Sequence, residues 1–130
     1  TTSLLKKLKS EGVRLAVCTN KDPINAKRII DKLFPNLFED LVGPGGPMPI
    51  KAKPDPESVE ILLKEFQCKP EDAVFIGDSD VDVHTAQNAH VPVITVNWGY
   101  RGRAFLEKFN VEVVDTMDEL DAAIHRILKI

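Results

Sequence analysis

Residues 74–82 read Val-Phe-Ile-Gly-Asp-Ser-Asp-Val-Asp, an apolar run that ends in glycine and is followed by carboxylates at 78, 80 and 82. The pattern predicts a buried strand that opens through an acidic turn into a helix. In parallel α/β sheets, ligands bind at the carboxyl ends of strands. Carboxylates gathered there suit Mg²⁺, which takes one or two protein carboxylates and fills its shell with water and phosphate oxygens. The same residues also suit a helix start in which Ser79 or Asp80 caps the first turn and the other acids are solvated. On this stretch alone both readings stand.

Two other points in the chain carry complementary chemistry. Thr19-Asn20 ends an apolar run, and Lys53-Pro54 sits in a loop rich in proline and glycine. A hydroxyl with adjacent backbone N–H groups, an ammonium and a carboxylate–metal corner are the parts needed to hold a phosphoryl group. Singly, Thr19 reads as a turn residue and Lys53 as a solvated lysine. Taken in order with the acidic turn, the three point to one site.

The elements that would position them alternate helix and strand patterns from end to end, which predicts an α/β fold with a mainly parallel sheet. Leu4, Leu5 and Leu8 form a short helical stripe closed by Glu11-Gly12, and residues 13–18 read as the first strand. Asp22 is the expected N-cap of the next helix and Pro23 its first residue. Ala26, Ile29, Ile30 and Leu33 fall on one face of that helix. Leu41-Val42-Gly43 reads as an edge strand. Residues 43–54 hold three glycines and four prolines, which predicts a shaped loop. Val59, Leu62, Leu63 and Phe66 keep helical spacing, residues 73–76 form the strand before the acidic turn, and the helix behind it runs to about His90. A strand at 93–96, a short helix near 104–109, a strand at 111–114 and a final helix lined by Leu120, Ala123, Ile124 and Ile127 complete the chain. Residues 1–130 read as a single domain.

Composition narrows the partners. Seventeen basic against twenty acidic residues give a net charge of −3, which offers no electrostatic argument for nucleic acid or an anionic membrane. No apolar stretch approaches the ~20 residues a membrane helix needs. Cys18 and Cys68 form no metal-spacing motif, and a reducing, cytoplasmic setting is expected.

The ordered set resembles the haloacid dehalogenase-like hydrolase superfamily, whose members are mostly Mg²⁺-dependent phosphatases. Leu15-Ala16-Val17-Cys18-Thr19-Asn20 is similar to its second motif, Lys53-Pro54-Asp55-Pro56 to its third, and Gly77-Asp78-Ser79-Asp80-Val81-Asp82 to its fourth. Asp82 and Ala86, followed by Val96-Asn97-Trp98-Gly99-Tyr100-Arg101, resemble the phosphoglycolate phosphatase branch. The resemblance implies a Rossmann-like parallel sheet with flanking helices and a phosphatase acting on a small phosphorylated metabolite. It assigns Thr19, Asn20 and Lys53 to phosphate binding and Asp78 to Mg²⁺. Lys53 and Asp82 are the implied catalytic residues, with Asp82 supporting the metal's water shell or orienting Lys53. Asp80 falls at a variable position and is expected at an exposed helix start.

The family's first motif, Asp-x-Asp-Gly-Thr, is absent from these residues. In the family its first aspartate becomes the aspartyl-phosphate and its second is the general acid/base. The expectation is therefore a C-terminal part of a core domain, lacking the nucleophile strand and the substrate-selecting cap, with an upstream segment or a homodimer partner as the candidate complement. In this family's sheet the missing strand lies between those at 13–18 and 73–77. Without it the two strands would either face a groove with unpaired backbone groups or be forced together. Two alternatives remain open: a phosphomutase of the same superfamily, and a catalytically inactive phosphate- or metal-binding domain. A dehalogenase fits less well because Asp78 and Asp82 build a metal corner, and a receiver-like regulator because the first strand ends without an acid pair.

His84, His90 and His125 share no metal spacing and read as surface residues, with His90 standing where related sequences carry glycine after a helix. Lys6, Lys7 and Lys9 read as solvated helix residues. Trp98, Tyr100 and Arg101 read either as a pocket mouth or dimer contact or as a loop packed on the core, with Trp98 half buried. These 130 residues by themselves are expected to bind metal poorly and to release no phosphate from phosphoglycolate; turnover by the isolated chain would contradict the reading.

Overall fold

The computed structural model describes residues 1–45, 49–99 and 102–130, so Gly46, Pro47 and Met48 of the Pro/Gly loop and Tyr100 and Arg101 lie outside the described residues. The chain runs α1 (Thr2–Ser10), β1 (Ala16–Cys18), α2 (Pro23–Leu33), β2 (Asp40–Val42), α3 (Glu57–Glu65), β3 (Phe75–Gly77), α4 (Asp80–Asn88), β4 (Val93–Val96), α5 (Arg103–Leu106), β5 (Glu112–Val114) and α6 (Met117–Leu128). The helix boundaries follow local chemistry. Asp22 accepts the Ile24 N–H at 3.1 Å ahead of Pro23, as the sequence predicts. Thr116 accepts the Glu119 N–H at 3.1 Å, while the Glu119 carboxylate accepts the Thr116 hydroxyl and the Asp115 N–H, a reciprocal cap that starts α6. Past α4, His90 takes a left-handed φ of 61° and the Val91 N–H returns to the Ala86 carbonyl at 2.9 Å. That conformation costs a non-glycine residue about 1 kcal/mol, and it matches the glycine expected there.

Every strand pairing is parallel, but the strands form two sheets. β1 pairs with β2 from Ala16 against Asp40 to Cys18 against Val42. β4 lies between β3 and β5, with Phe75 against Val93 and Ile94 against Glu112. Thus, among the described residues, β1 has a ladder partner only on its β2 side and β3 only on its β4 side, the open one of the two arrangements expected of a sheet missing the strand between them. Each open edge carries backbone groups with no ladder partner. The first strand is also shorter than the apolar run implied: it spans Ala16–Cys18, and Val13 and Leu15 pack against the core ahead of it.

Side chains join what the ladders leave apart. On one face, Ile94, Val96 and Val114 pack with Leu8 of α1 and Leu120, Ala123 and Ile124 of α6, and Leu15 and Val74 join from the approaches to β1 and β3. On the other, Val59 of α3 packs with Ala89 and Val91, and both Cys18 of β1 and Phe75 of β3 lie against them. Helix α2 departs from expectation. Ala26 is buried, but Ile29 and Leu33 remain 49% and 59% exposed, because a two-stranded sheet is too narrow to cover the whole stripe. Ile76, on the open edge strand β3, is likewise 42% exposed.

The surface reading of His125 is also corrected, while Lys7 stays exposed as expected. His125 of α6 is partly buried, its Nε2 lies 2.9 Å from the Glu11 carboxylate beyond α1, and its Nδ1 lies 2.8 Å from the Asp121 carbonyl. Asp121 Oδ1 sits 2.8 Å from the same nitrogen as a charge contact, not a hydrogen bond, and Asp121 Oδ2 takes the Lys7 ammonium at 2.6 Å. Both imidazole nitrogens thus face acceptors, a geometry that only the doubly protonated ring satisfies. The Asp121 carbonyl, then Glu11, raise the His125 pKa above its ordinary 6.5. A raised folded pKa contributes stability that is fully present below 6.5 and is lost as pH climbs through the shifted value. Thermal melts from about pH 6 to about pH 9 should therefore show wild-type protein losing stability relative to His125→Gln, with the difference largest at the acid end.

Candidate active site

The Asp82 carboxylate is the hub of the site. Gly77 ends β3, Asp78 follows, and Ser79 caps α4 by accepting the Asp82 N–H at 3.3 Å. Asp82 Oδ2 accepts the Asp78 N–H at 3.0 Å and the Ser79 hydroxyl at 3.3 Å. Asp82 Oδ1 takes the Lys53 ammonium at 2.8 Å, with the two side chains only 13% and 11% exposed. The two readings of the acidic turn are therefore both realised: Ser79 is a helix cap, and the carboxylate one turn later is committed to a lysine from a distant loop. Gly77 is glycine because a Cβ there would lie 2.3 Å from Asp82 Cβ. Asp80 differs from expectation, being the half-buried first residue of α4.

Lys53 is held on its backbone as well. Its N–H donates to Asn20 Oδ1 at 2.8 Å, and Asn20 Nδ2 donates back to the Lys53 carbonyl at 3.1 Å. Asn88, the last residue of α4, donates to the Pro54 carbonyl at 2.9 Å, and Asp55 accepts the Glu57 N–H at 3.0 Å as α3 begins. The Lys53–Pro54 peptide is cis. The Lys53 ammonium also lies 5.8 Å from the centre of the Phe75 ring. Thr19 extends the β1–β2 ladder by donating its N–H to Val42, and its hydroxyl accepts the Lys21 N–H at 3.0 Å, leaving the hydroxyl hydrogen to donate elsewhere. Beside it, burial pushes the Cys18 thiol up, as packing in the core would.

Sequence reasoning named Thr19, Asn20, Lys53, Asp78 and Asp82, and Asn20, Lys53, Asp82 and the Asp78 backbone form one hydrogen-bonded chain. It missed the part played by the Asn20 side chain, which positions Lys53, and the anchor from Asn88. The Ser79-x-x-Asp82 spacing is a capping signature that could have joined those two residues in advance.

The donor set fits one corner of a Mg²⁺ site. Both Asp82 oxygens are engaged by Lys53, Ser79 and the Asp78 N–H, and Asp78, at the end of β3, carries a carboxylate that could hold such a cation. Beside it the Gly99 backbone comes close enough that a Cβ there would sit 2.3 Å from Asp78 Oδ2, a cradle shaped around that carboxylate. Among the described residues no group of three or more His, Cys, Asp or Glu side chains could hold a metal. A cation that accepts one or two protein carboxylates with water and phosphate needs no larger cluster. No helix among the described residues is long and apolar enough to cross a membrane.

Parallel strands with flanking helices, and Thr19, Lys53 and Asp82 gathered near the ends of β1 and β3, define an α/β core of the Rossmann-like kind. Residues 1–96 match the family described as haloacid dehalogenase-like hydrolase, and the chain belongs to that family. It is 37% identical over 99 residues to a phosphoglycolate phosphatase of Rhodospirillum rubrum, covering 75% of this chain and 40% of that protein. It is 35% identical over 118 residues to phosphoglycolate phosphatase 1 of Pseudomonas aeruginosa, covering 89% and 43%. A crystal structure assigned to the phosphoglycolate phosphatases, from Lactobacillus delbrueckii subsp. bulgaricus, superposes with a TM-score of 0.88 at 35% identity, covering 95% of this chain and 51% of that one. The chain spans about half the length, or less, of these relatives.

Removing Lys53 would strand a buried carboxylate. Lys53→Met should lower unfolding free energy by about 3 kcal/mol in denaturant melts. Adding Asp82→Asn, which removes the charge and still accepts the Asp78 N–H, should recover part of that loss; an additive double variant would show that the pair is not coupled.

Proposed function

We propose that this chain forms part of the core of a Mg²⁺-dependent phosphatase of the phosphoglycolate phosphatase type, acting on a small phosphorylated metabolite. The observation that carries the reading is the Lys53–Asp82 pair, 2.8 Å apart and almost buried, set between the end of β1 and the end of β3. The 37% and 35% identities to phosphoglycolate phosphatases support the substrate class. The open edges of β1 and β3, together with a chain about half the length of its relatives, support a nucleophile supplied from outside these residues.

In this mechanism the Thr19 hydroxyl and the backbone N–H of Asn20 donate to phosphoryl oxygens. Lys53 neutralises charge between the phosphate and the attacking aspartate, which becomes the aspartyl-phosphate. Asp82 keeps the lysine charged and aimed, and Asn20 fixes the backbone from which it projects. Mg²⁺, when bound by Asp78, would supply electrostatic stabilisation of the phosphoryl oxygens. The ammonium is already held by the Asp82 carboxylate and the Lys53 main chain by Asn20, so little reorganisation accompanies substrate entry.

Asp78→Asn in the full-length protein separates enzyme from inert binding domain. Phosphate release from phosphoglycolate in saturating Mg²⁺ should fall on the order of 100-fold or more. Unchanged turnover would remove Asp78 from the mechanism.

A further inference from the structure

Three glycines stand against the residues of the candidate site, each at or just beyond the end of a different strand. Gly43, just past β2, would place a Cβ 2.6 Å from the Thr19 carbonyl oxygen and 3.0 Å from Thr19 Cγ2. Gly77, the last residue of β3, would place one 2.3 Å from Asp82 Cβ. Gly99, in the loop after β4, would place one 2.2 Å from Asp78 Cβ, 2.3 Å from its Oδ2 and 2.6 Å from its Cγ. Real Cβ atoms do not approach that closely, so either the loop or the carboxylate must move.

Gly99 differs from the other two. Gly43 is buried and Gly77 partly so, and close packing at a strand end accounts for both. Gly99 is exposed, and its φ lies outside the left-handed region, so neither core packing nor backbone conformation requires glycine there. What remains is the contact with Asp78. We propose that Gly99 is a positioning residue for Asp78: its bare backbone forms the wall against which that carboxylate is set, and any side chain would rotate or push the carboxylate out of the geometry in which it ligates a divalent cation. Gly99 thereby helps determine metal affinity without contributing a ligand. The metal half of this inference rests on Asp78 being the ligand; the steric half does not.

Gly99→Ala in the full-length protein tests both halves, with Gly12→Ala as the comparison. Gly12 has a φ of +87° and no atom within 4 Å of a built Cβ, so alanine there strains the backbone far from the site and touches nothing. Mn²⁺ is the probe, titrated by electron paramagnetic resonance without substrate. Gly99→Ala should weaken Mn²⁺ binding by about 10–100-fold, the range typical of residues that orient a ligand, while Gly12→Ala leaves it unchanged. Asp78→Asn run beside them tests the underlying assignment: Mn²⁺ affinity unaltered by that change defeats the ligand reading itself. Loss of binding in Asp78→Asn with wild-type affinity in Gly99→Ala defeats only the present inference. Metal-free thermal melts supply the readout independent of binding. The destabilisation by Gly99→Ala should disappear in an Asp78→Gly background, where the colliding Cβ and carboxylate are gone, and that recovery applies even where the single variant folds poorly. Equal losses in both backgrounds would overturn the proposal.

Discussion

A polar relay links β1 to β3, between which the described residues form no backbone ladder. Asn20 at the end of β1 grips the backbone of Lys53, Lys53 extends its ammonium to Asp82, and Asp82 accepts the N–H of Asp78 at the end of β3. The relay therefore runs from one sheet to the other through a loop that belongs to neither. Its central pair is almost buried, where a charge without a partner is costly. The same feature makes the site rigid: a lysine held at both its backbone and its ammonium has few conformations left to lose.

Stability and chemistry meet in that arrangement. Hydrophobic contacts set Cys18 and Phe75 against one core cluster and Leu15 and Val74 against another, but apolar packing is non-directional and does not aim an ammonium. Directional hydrogen bonds do the aiming. The cap of α4 contributes to both functions, since Ser79 terminates the acidic turn as a helix start and also holds the carboxylate that holds Lys53. Removing the cap would loosen the helix and the lysine together.

The open edges of β1 and β3 give the sheet arrangement its meaning. An unpaired parallel edge is a liability in a solitary domain and an acceptor for another strand in a larger one. The exposed Ile76 on β3 and the uncovered Ile29 and Leu33 of α2 are apolar surface of the same incomplete kind. Membership of the haloacid dehalogenase-like hydrolases accommodates all of these features, because the relatives are about twice as long or more.

Local chemistry made much of this legible in the residues alone. Asp22-Pro23 announced a helix start, the apolar runs at 74–76 and 93–96 announced strands, and Thr19, Lys53 and Asp82 stood out because hydroxyl, ammonium and carboxylate recur in that order along the chain. Caps and periodicity depend on neighbours within a few positions, so a sequence displays them directly. The tertiary structure decided the rest. Which strand edges stay unpaired depends on partners far away or absent; that Asn20 serves Lys53 depends on two loops meeting across 33 positions; and the closeness of Gly99 to Asp78 depends on where the loop after β4 comes to rest. The motif at 74–82 named the acids, but only packing set Asp82 against a lysine and brought the Gly99 backbone close to Asp78. Long-range contacts carry no periodic trace in a chain, because chain topology and volume exclusion, not local preference, bring those atoms together.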